Sequence, residues 1–322
     1  MRKKLGLILI VLVIFLLSGC GANIGEKRDN STTEQINLVI TRDFGKEKIL
    51  TKEITIEPNM TVMDLLFKAD LEVKAGYSGS FVDGINGLLT KGAGLGGERW
   101  DWFYFVNGIF ADVGAMDYFP QPGDVIWWDY RPWKATGASP NAVIGAFPET
   151  FQYGYLNKTN PTRIMAFKED LDLAKGLKGK LEELGVSQIE IIDISEEKIK
   201  NPQGPTILLG AWNLLKEIDY VSKLNENYPR AGFYGFFSDN GLNLLSHDLK
   251  LVKTASEKAG LIISTAQGNG DTNPLWIVTG IDQEGFSQGV RTLINSHEKL
   301  RQLYNAAIVN GEVISLPLEN NI

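Results

Sequence analysis

The residues of this chain whose type and spacing first suggest chemistry are aromatic. Trp100, Trp102, Trp127, Trp128 and Trp133, five of the seven tryptophans, fall within 34 residues, in the strings WDWFYFV and VIWWDYRPW. A strand period of two sends Trp100, Trp102, Tyr104 and Val106 to one face and Asp101, Phe103 and Phe105 to the other, and it sets Trp127 and Trp128 on opposite faces. Each large ring buries roughly 150–250 Å² when packed. A small sheet can hide one such row beneath a helix, but a second row must be covered by another module or by a ligand. The chemistry on offer is stacking and apolar burial, with Asn86, Asn107 and Asp117 as polar groups that can orient a ligand's substituents. Two readings stand at this point. Either some of these rings line a flat apolar binding surface, or all of them seal cores and the contact between modules, as in a non-catalytic envelope or adhesion protein with no small-molecule ligand.

Other chemistries find little support. His247 and His297 are the only histidines and sit beside polar neighbours as expected of surface residues, and Cys20 is the only cysteine, so disulfides within the chain, thiolate metal clusters and most zinc sites are excluded. Gly92, Gly94 and Gly97 spell GxGxxG, yet a strand follows rather than a helix whose amino terminus could hold a pyrophosphate, which argues against a dinucleotide site. The glycine-rich run 84–97 reads instead as a loop beside the tryptophan strand, either a lid or a long hairpin connection. SDNGLN (238–243) and QGNGDTN (267–273) lack EF-hand spacing and read as turns, and Asn213 and Asp282 read as helix caps. No GxSxG, Walker A or HExxH string occurs, and no carboxylate pair stands out by spacing. The expectation is a protein that is not an enzyme, with no catalytic cofactor and no metal. A net charge of −7 without a basic stripe makes nucleic acid an unfavourable partner.

The elements that must position these residues follow from the rest of the chain. Residues 1–20 read as a lipoprotein signal: Arg2, Lys3 and Lys4 precede an apolar run from Leu5 to Leu17, then Leu17-Ser18-Gly19-Cys20. That tetrad resembles the lipobox of bacterial lipoproteins, which implies acylation of Cys20, a two-chain anchor and a place on the extracytoplasmic face of the cell membrane. Residues 21–35 are polar and small, as a linker is. From 36 to 133 the pattern gives strands at INLVITRD and KILTKEITI, a helix after the capping box Thr61-Val62-Met63-Asp64 with an apolar face of Val62, Leu65, Leu66 and Ala69, then strands at SFVDGI, WDWFYFV and DVIWWDY. Asn107-Gly108 signals a hairpin. The order ββαβββ predicts an α+β, β-grasp-like domain. From 142 to 322, the strands RIMAF, IEIIDI, TILLG, FYGFF, LIIST and LWIVTG alternate with helical stretches at 170–184, 213–227 and 283–300, which predicts an α/β layered domain with a largely parallel sheet, closed by a hairpin at Asn310-Gly311. The stretch 133–145, small and polar with Pro140, reads as a short connection.

Two resemblances add to this. GSFVDGINGL, WDWFYFVNG and VGAMDYFPQPGDVIWWDY together resemble the carboxy-terminal β-domain of transcobalamin and intrinsic factor and its bacterial relatives, over about residues 50–131. The resemblance implies a β-grasp-type domain that contacts one face of a corrinoid, with Phe81, Trp100, Trp102, Tyr118 and the strand around Trp127 and Trp128 in or near the ligand-facing region. The helical barrel that completes the animal carriers' clamp has no counterpart in the chain. PLWIVTGIDQEGFSQGVRTLI is similar to α/β domains of bacterial envelope and surface-layer-associated proteins. Taken together, the expectation is a lipid-anchored cell-surface protein that binds a bulky, partly flat small molecule, cobalamin or another corrinoid, and presents it to a vitamin-uptake transporter.

Overall fold

Alternation of Ile36, Leu38 and Ile40 with polar or differently facing residues makes Gln35–Arg42 a strand, β1, with one face committed to a core. The computed structural model describes residues 34–76, 81–92 and 99–320. The predicted signal with Cys20, the linker up to residue 33 and part of the glycine-rich run lie outside the described residues. β1 pairs with antiparallel β2 (Glu47–Thr55) on one side and with parallel β8 (Val125–Trp133) on the other. β6 (Arg99–Val106) runs antiparallel to β8, and β7 (Ile109–Phe110) finishes the sheet in the order β2-β1-β8-β6-β7. Asn107 and Gly108, at φ +50° and +83°, make the predicted tight turn between β6 and β7. A smaller sheet of β3 (Val73–Gly76), β4 (Phe81–Ile85) and β5 (Leu88–Leu89) lies beside it.

The helix α1 (Val62–Lys68) starts at the predicted capping box. Thr61 Oγ1 accepts from the Asp64 amide at 3.2 Å, and the Asp64 carboxylate accepts from the Thr61 amide at 2.9 Å. Val62, Met63, Leu65 and Leu66 pack with Leu38, Trp102, Tyr104, Val106, Ile126 and Trp128 on one face of the sheet. The other face carries Val39, Phe105 and Trp127 and packs with Phe233, Tyr234, Leu261 and Tyr304 of the second half, so the two halves share a core. Gly45 marks how closely they approach. It has φ +80°, and a Cβ there would run into the Gln302 carbonyl. Residues Glu34–Ile322 form one compact unit.

The second half is built on β9 (Thr162–Ala166), β10 (Ile189–Asp193), β11 (Thr206–Leu209), β15 (Ala259–Thr265), β16 (Leu275–Gly280), β17 (Asn305–Val309) and β18 (Glu312–Leu316), in the order β10-β9-β11-β16-β15-β17-β18. Helices α2 (Leu171–Glu183) and α4 (Gln283–Asn295) cover one face, burying Leu177, Leu181, Val290 and Leu293 against Ile164, Ile207 and Val278. α3 (Asp219–Glu226) packs elsewhere, through Val221.

The expected parallel sheet is realised only in part. β10, β9, β11 and β16 are parallel, whereas β15, β17 and β18 join antiparallel. The cause is connection length: LIIST is linked to LWIVTG by the turn 266–274 with no helix, and a connection that short can only return antiparallel. FYGFF takes no place in this sheet. Its Gly235–Ser238 is β12, which forms a separate antiparallel meander with β13 (Gly241–Leu245) and β14 (Leu251–Ala255). The molecule is thus a mixed α+β protein of several sheets and mostly strands.

Asp282 caps α4 as predicted, accepting from the Gly285 amide at 2.8 Å, but Asn213 lies inside a one-turn helix that begins at Trp212 and is not its cap. His247 and His297 are half-buried rather than on the surface, each against a phenylalanine ring. No helix among the described residues is long and apolar enough to cross a membrane.

Candidate functional site

The brevity of β7 makes the site. It pairs only Phe105 and Val106 of β6, and at Phe110 its outer edge is bonded to the connection and the second half: the Phe110 amide donates to the Asn141 carbonyl at 3.0 Å, and the Phe110 carbonyl accepts from Gly270 at 2.8 Å. Beyond that pair only the Ala111 amide, bonded to the Tyr104 carbonyl, follows β6, and the chain then leaves along the loop 112–124. A cleft of about 440 Å³ opens along the flank of β6 that this departure vacates.

Both faces of the sheet reach it. From the α1 side come Trp102, Tyr104 and Trp128, with the indole of Trp128 stacked on Tyr104 at 4.8 Å. From the opposite face come Asp101, Phe103, Phe110 and Trp133, with Phe103 5.8 Å from Phe110 and edge-on to Trp133 at 6.4 Å. Phe81 of β4 stands at the rim, 40% exposed, and Val113 of the departing loop is 38% exposed. These walls are fixed from behind. Trp102 Nε1 donates to the Leu88 carbonyl at 2.9 Å, the Tyr104 hydroxyl donates to the Val113 carbonyl, and Trp133 Nε1 donates to the Asp101 carboxylate. Trp128 Nε1 has no hydrogen-bond partner among the described residues.

Among the described residues Asp101 is the one carboxylate on these walls, and burial pushes its pKa up, partly offset by the Trp133 N–H and by Arg99 and Arg131. Burial also holds the Tyr104 hydroxyl well above the usual phenol range, so it stays protonated. Such a lining suits stacking and apolar contact with a flat molecule.

Of the residues expected at a site, Phe81, Trp102, Tyr104 and Trp128 come together in the cleft, and the other six do not line it. Trp100 sits further along β6, its ring 5.3 Å from Tyr130 with the Lys91 ammonium over it. Asn86 forms the β4–β5 turn at φ +48°, its side-chain oxygen accepting from the Glu72 amide. Asn107 is fully buried and spent internally: its amide nitrogen donates to Asp124 at 2.7 Å and to the Gly154 carbonyl at 2.8 Å, and its oxygen accepts from the Val125 amide. Asp124 pays for that burial with a pKa pushed up to about 6, only partly countered by the Gln121 and Asn107 donors. Asp117 is exposed in the loop, away from the cleft walls.

Tyr118 is structural. Its carbonyl and that of Ala115 accept from the first α1 amides, Val62 and Met63, so the string GAMDYFP serves as a cap on the helix. Trp127 lies in the shared core, 1% exposed, its N–H donating to Thr41 Oγ1 at 2.8 Å.

Sequence reasoning passed over Phe103, Phe110 and Trp133. The alternation had placed Phe103 on the face opposite Trp102, and only the early end of β7 shows that one cleft wraps around the edge and uses both faces. The signal available was Phe110 itself, a large ring directly after a two-residue turn.

Residues 59–131 match the model of a domain of unknown function, DUF4430. The matched stretch runs from just before the α1 cap to near the end of β8 and contains most of the cleft's walls. None of the curated proteins compared with the chain matches it.

Proposed function

We propose that the chain is a lipid-anchored cell-surface binding protein, not an enzyme, that holds a bulky, partly flat small molecule in the cleft along β6 and presents it for uptake. The observation that carries this reading is the cleft: an open hollow of about 440 Å³ walled by aromatic rings from both faces of one sheet. That volume falls within the ~300–1,000 Å³ of small-molecule sites, so a macrocycle such as cobalamin or another corrinoid would rest one face there rather than be enclosed. A transcobalamin-like, β-grasp-type first module is compatible with the family match over 59–131 and with a sheet whose two central strands, β1 and β8, are parallel with α1 across one face. The anchor rests on the leader and Cys20, and a vitamin-uptake transporter is the partner it suggests.

The alternative, an envelope or adhesion module in which the tryptophans only seal, is favoured by Trp127, which sits in the core shared by the two halves. Titration of the intrinsic fluorescence with cobalamin, haem and short glycans separates the two. Binding predicts a saturable change with one of them, weakened at least tenfold in Phe81→Ala, since a lost aromatic contact is worth about 1.5–3 kcal/mol. Silence across the panel would leave the sealing role alone.

A further inference from the structure

β8 carries a second unusual side chain two residues before Trp133. Arg131 shares the Trp127 face and is 4% exposed, yet no carboxylate among the described residues comes within ion-pairing distance of it, and its Nε has no hydrogen-bond partner. The two carboxylates around it are already committed: Asp101, opposite Arg131 in the β6–β8 pairing, accepts from Trp133 Nε1, and Asp129 accepts from Thr41 Oγ1 at 2.6 Å, from the Phe44 and Gly45 amides at 3.1 Å, and from the Tyr304 hydroxyl at 3.0 Å. Tyr304, Tyr234 and, at longer range, Asp129 are the polar company of the guanidinium, and Asp101 feels it through space. Aromatic faces take up the rest, Phe103 at 4.0 Å and Phe44 and Tyr304 at 5.5 Å. Burial of the guanidinium carries a desolvation cost, which Tyr304, Tyr234 and Asp129 offset, so it stays charged.

Arg131 also lies where hollows meet. It lines a cavity of about 270 Å³ together with Lys134, Ser139 and Asn269, and that cavity shares the walls Phe103, Phe110 and Trp133 with the apolar cleft. One molecule could therefore lie across both, its apolar body on the cleft rings and a polar arm towards Arg131. A planar guanidinium that keeps an unpartnered Nε matches the geometry of an oxyanion.

We propose that Arg131 is the floor of an oxyanion subsite, so that the ligand is an amphipathic anion whose carboxylate or phosphate sits beside Arg131 while its flat apolar part occupies the cleft. This rests on the cleft being a binding site, and two fluorescent probes keep the two claims apart: anilinonaphthalene sulfonate, which is anionic, and N-phenylnaphthylamine, its uncharged analogue. The intact folded chain should bind the anion at least tenfold more tightly than the neutral probe. Arg131→Met, which keeps the volume and removes the charge, should erase that preference and leave the neutral probe's affinity unchanged, whereas Phe81→Ala should weaken both. Naphthoate or naphthyl phosphate should displace the bound anion, and which of them competes better tells carboxylate from phosphate. Equal affinity of the wild-type chain for both probes, a preference that survives in Arg131→Met, or failure of both competitors would overturn the subsite while leaving the cleft standing. Failure of the neutral probe to bind the wild-type chain would count against the cleft itself. Should Arg131→Met not fold, the ratio of the two affinities in the wild-type chain decides the matter.

Discussion

Trp127 and Trp128 are adjacent in β8 and belong to different environments. Trp127 packs against Phe105 and Tyr304 at 5.4 and 5.3 Å, with its indole N–H satisfied by Thr41 in the core shared by the two halves. Trp128 is buried as well, at 3% exposed, in the core beneath α1, where it stacks on Tyr104, keeps an N–H unpartnered among the described residues, and backs the wall of an open cleft. The face alone separates them: one side of the sheet meets the second half along most of its length, while the other is covered by α1 only as far as that short helix reaches. Aromatic density in a sequence thus has two outcomes within one strand, and which one a ring meets depends on what lies across from it.

The largest effect expected from breaking this contrast is on the sealed side. Trp127→Ala should cost about 3–5 kcal/mol in urea denaturation, because the cavity opens in a core that cannot collapse around it. A much smaller loss would mean that the halves do not depend on that seam.

Next comes pH. Burial raises the pKa of Asp124 to about 6 in the folded chain from an ordinary value near 3.8, so the folded state holds the proton more tightly. Its contribution to stability is therefore full below about pH 4 and is lost as pH rises through about 6, on the order of 3 kcal/mol in all. Asp248 works in the opposite sense: its desolvation is outweighed by hydrogen bonds from Lys250, Ser246 and Asn320, which hold its pKa well below the usual range, so its support is present above about pH 4 and is lost as pH falls below that. Asp124→Asn should flatten the thermal midpoint against pH between 4 and 6 while Asp248→Asn leaves that window unchanged. An unaltered slope in the first variant would remove Asp124 as its source.

Thr41→Val strips the partner from Trp127 Nε1 and one donor from Asp129, leaving buried polar groups unmet, and should cost about 1–3 kcal/mol by the same denaturation assay. Smallest for stability is Phe81→Ala at the exposed rim, within about 0.5 kcal/mol of the wild type. A substantial loss of stability there would mean that the rim is part of the core and would blur the contrast.

Much of this architecture is legible in the residues. The capping box at Thr61 and Asp64, the turns at Asn107-Gly108 and Asn310-Gly311, and the opposite facing of Trp127 and Trp128 all follow from local rules of backbone geometry. What escaped was decided at a distance. Asn107 looks like a free polar group at a turn, and only the fold brings Asp124 and Gly154 to it. LIIST has the same apolar composition as the parallel strands, and its direction was set by the missing helix in the connection that follows it. The cleft depends on where β7 stops, and no pattern inside residues 99–110 encodes that end.

The most direct test uses the seven tryptophans as separate reporters. In a nitrogen-labelled sample of the folded chain, each indole N–H gives its own resonance, and cyanocobalamin, followed by haem and short glycans, can be titrated in. A cleft ligand should shift the signals of Trp102, Trp128 and Trp133 with a common saturation curve and leave Trp127, Trp212 and Trp276 in place. Uniform shifts across all seven, or no shift with any member of the panel, would contradict the assignment of this cleft as a binding site.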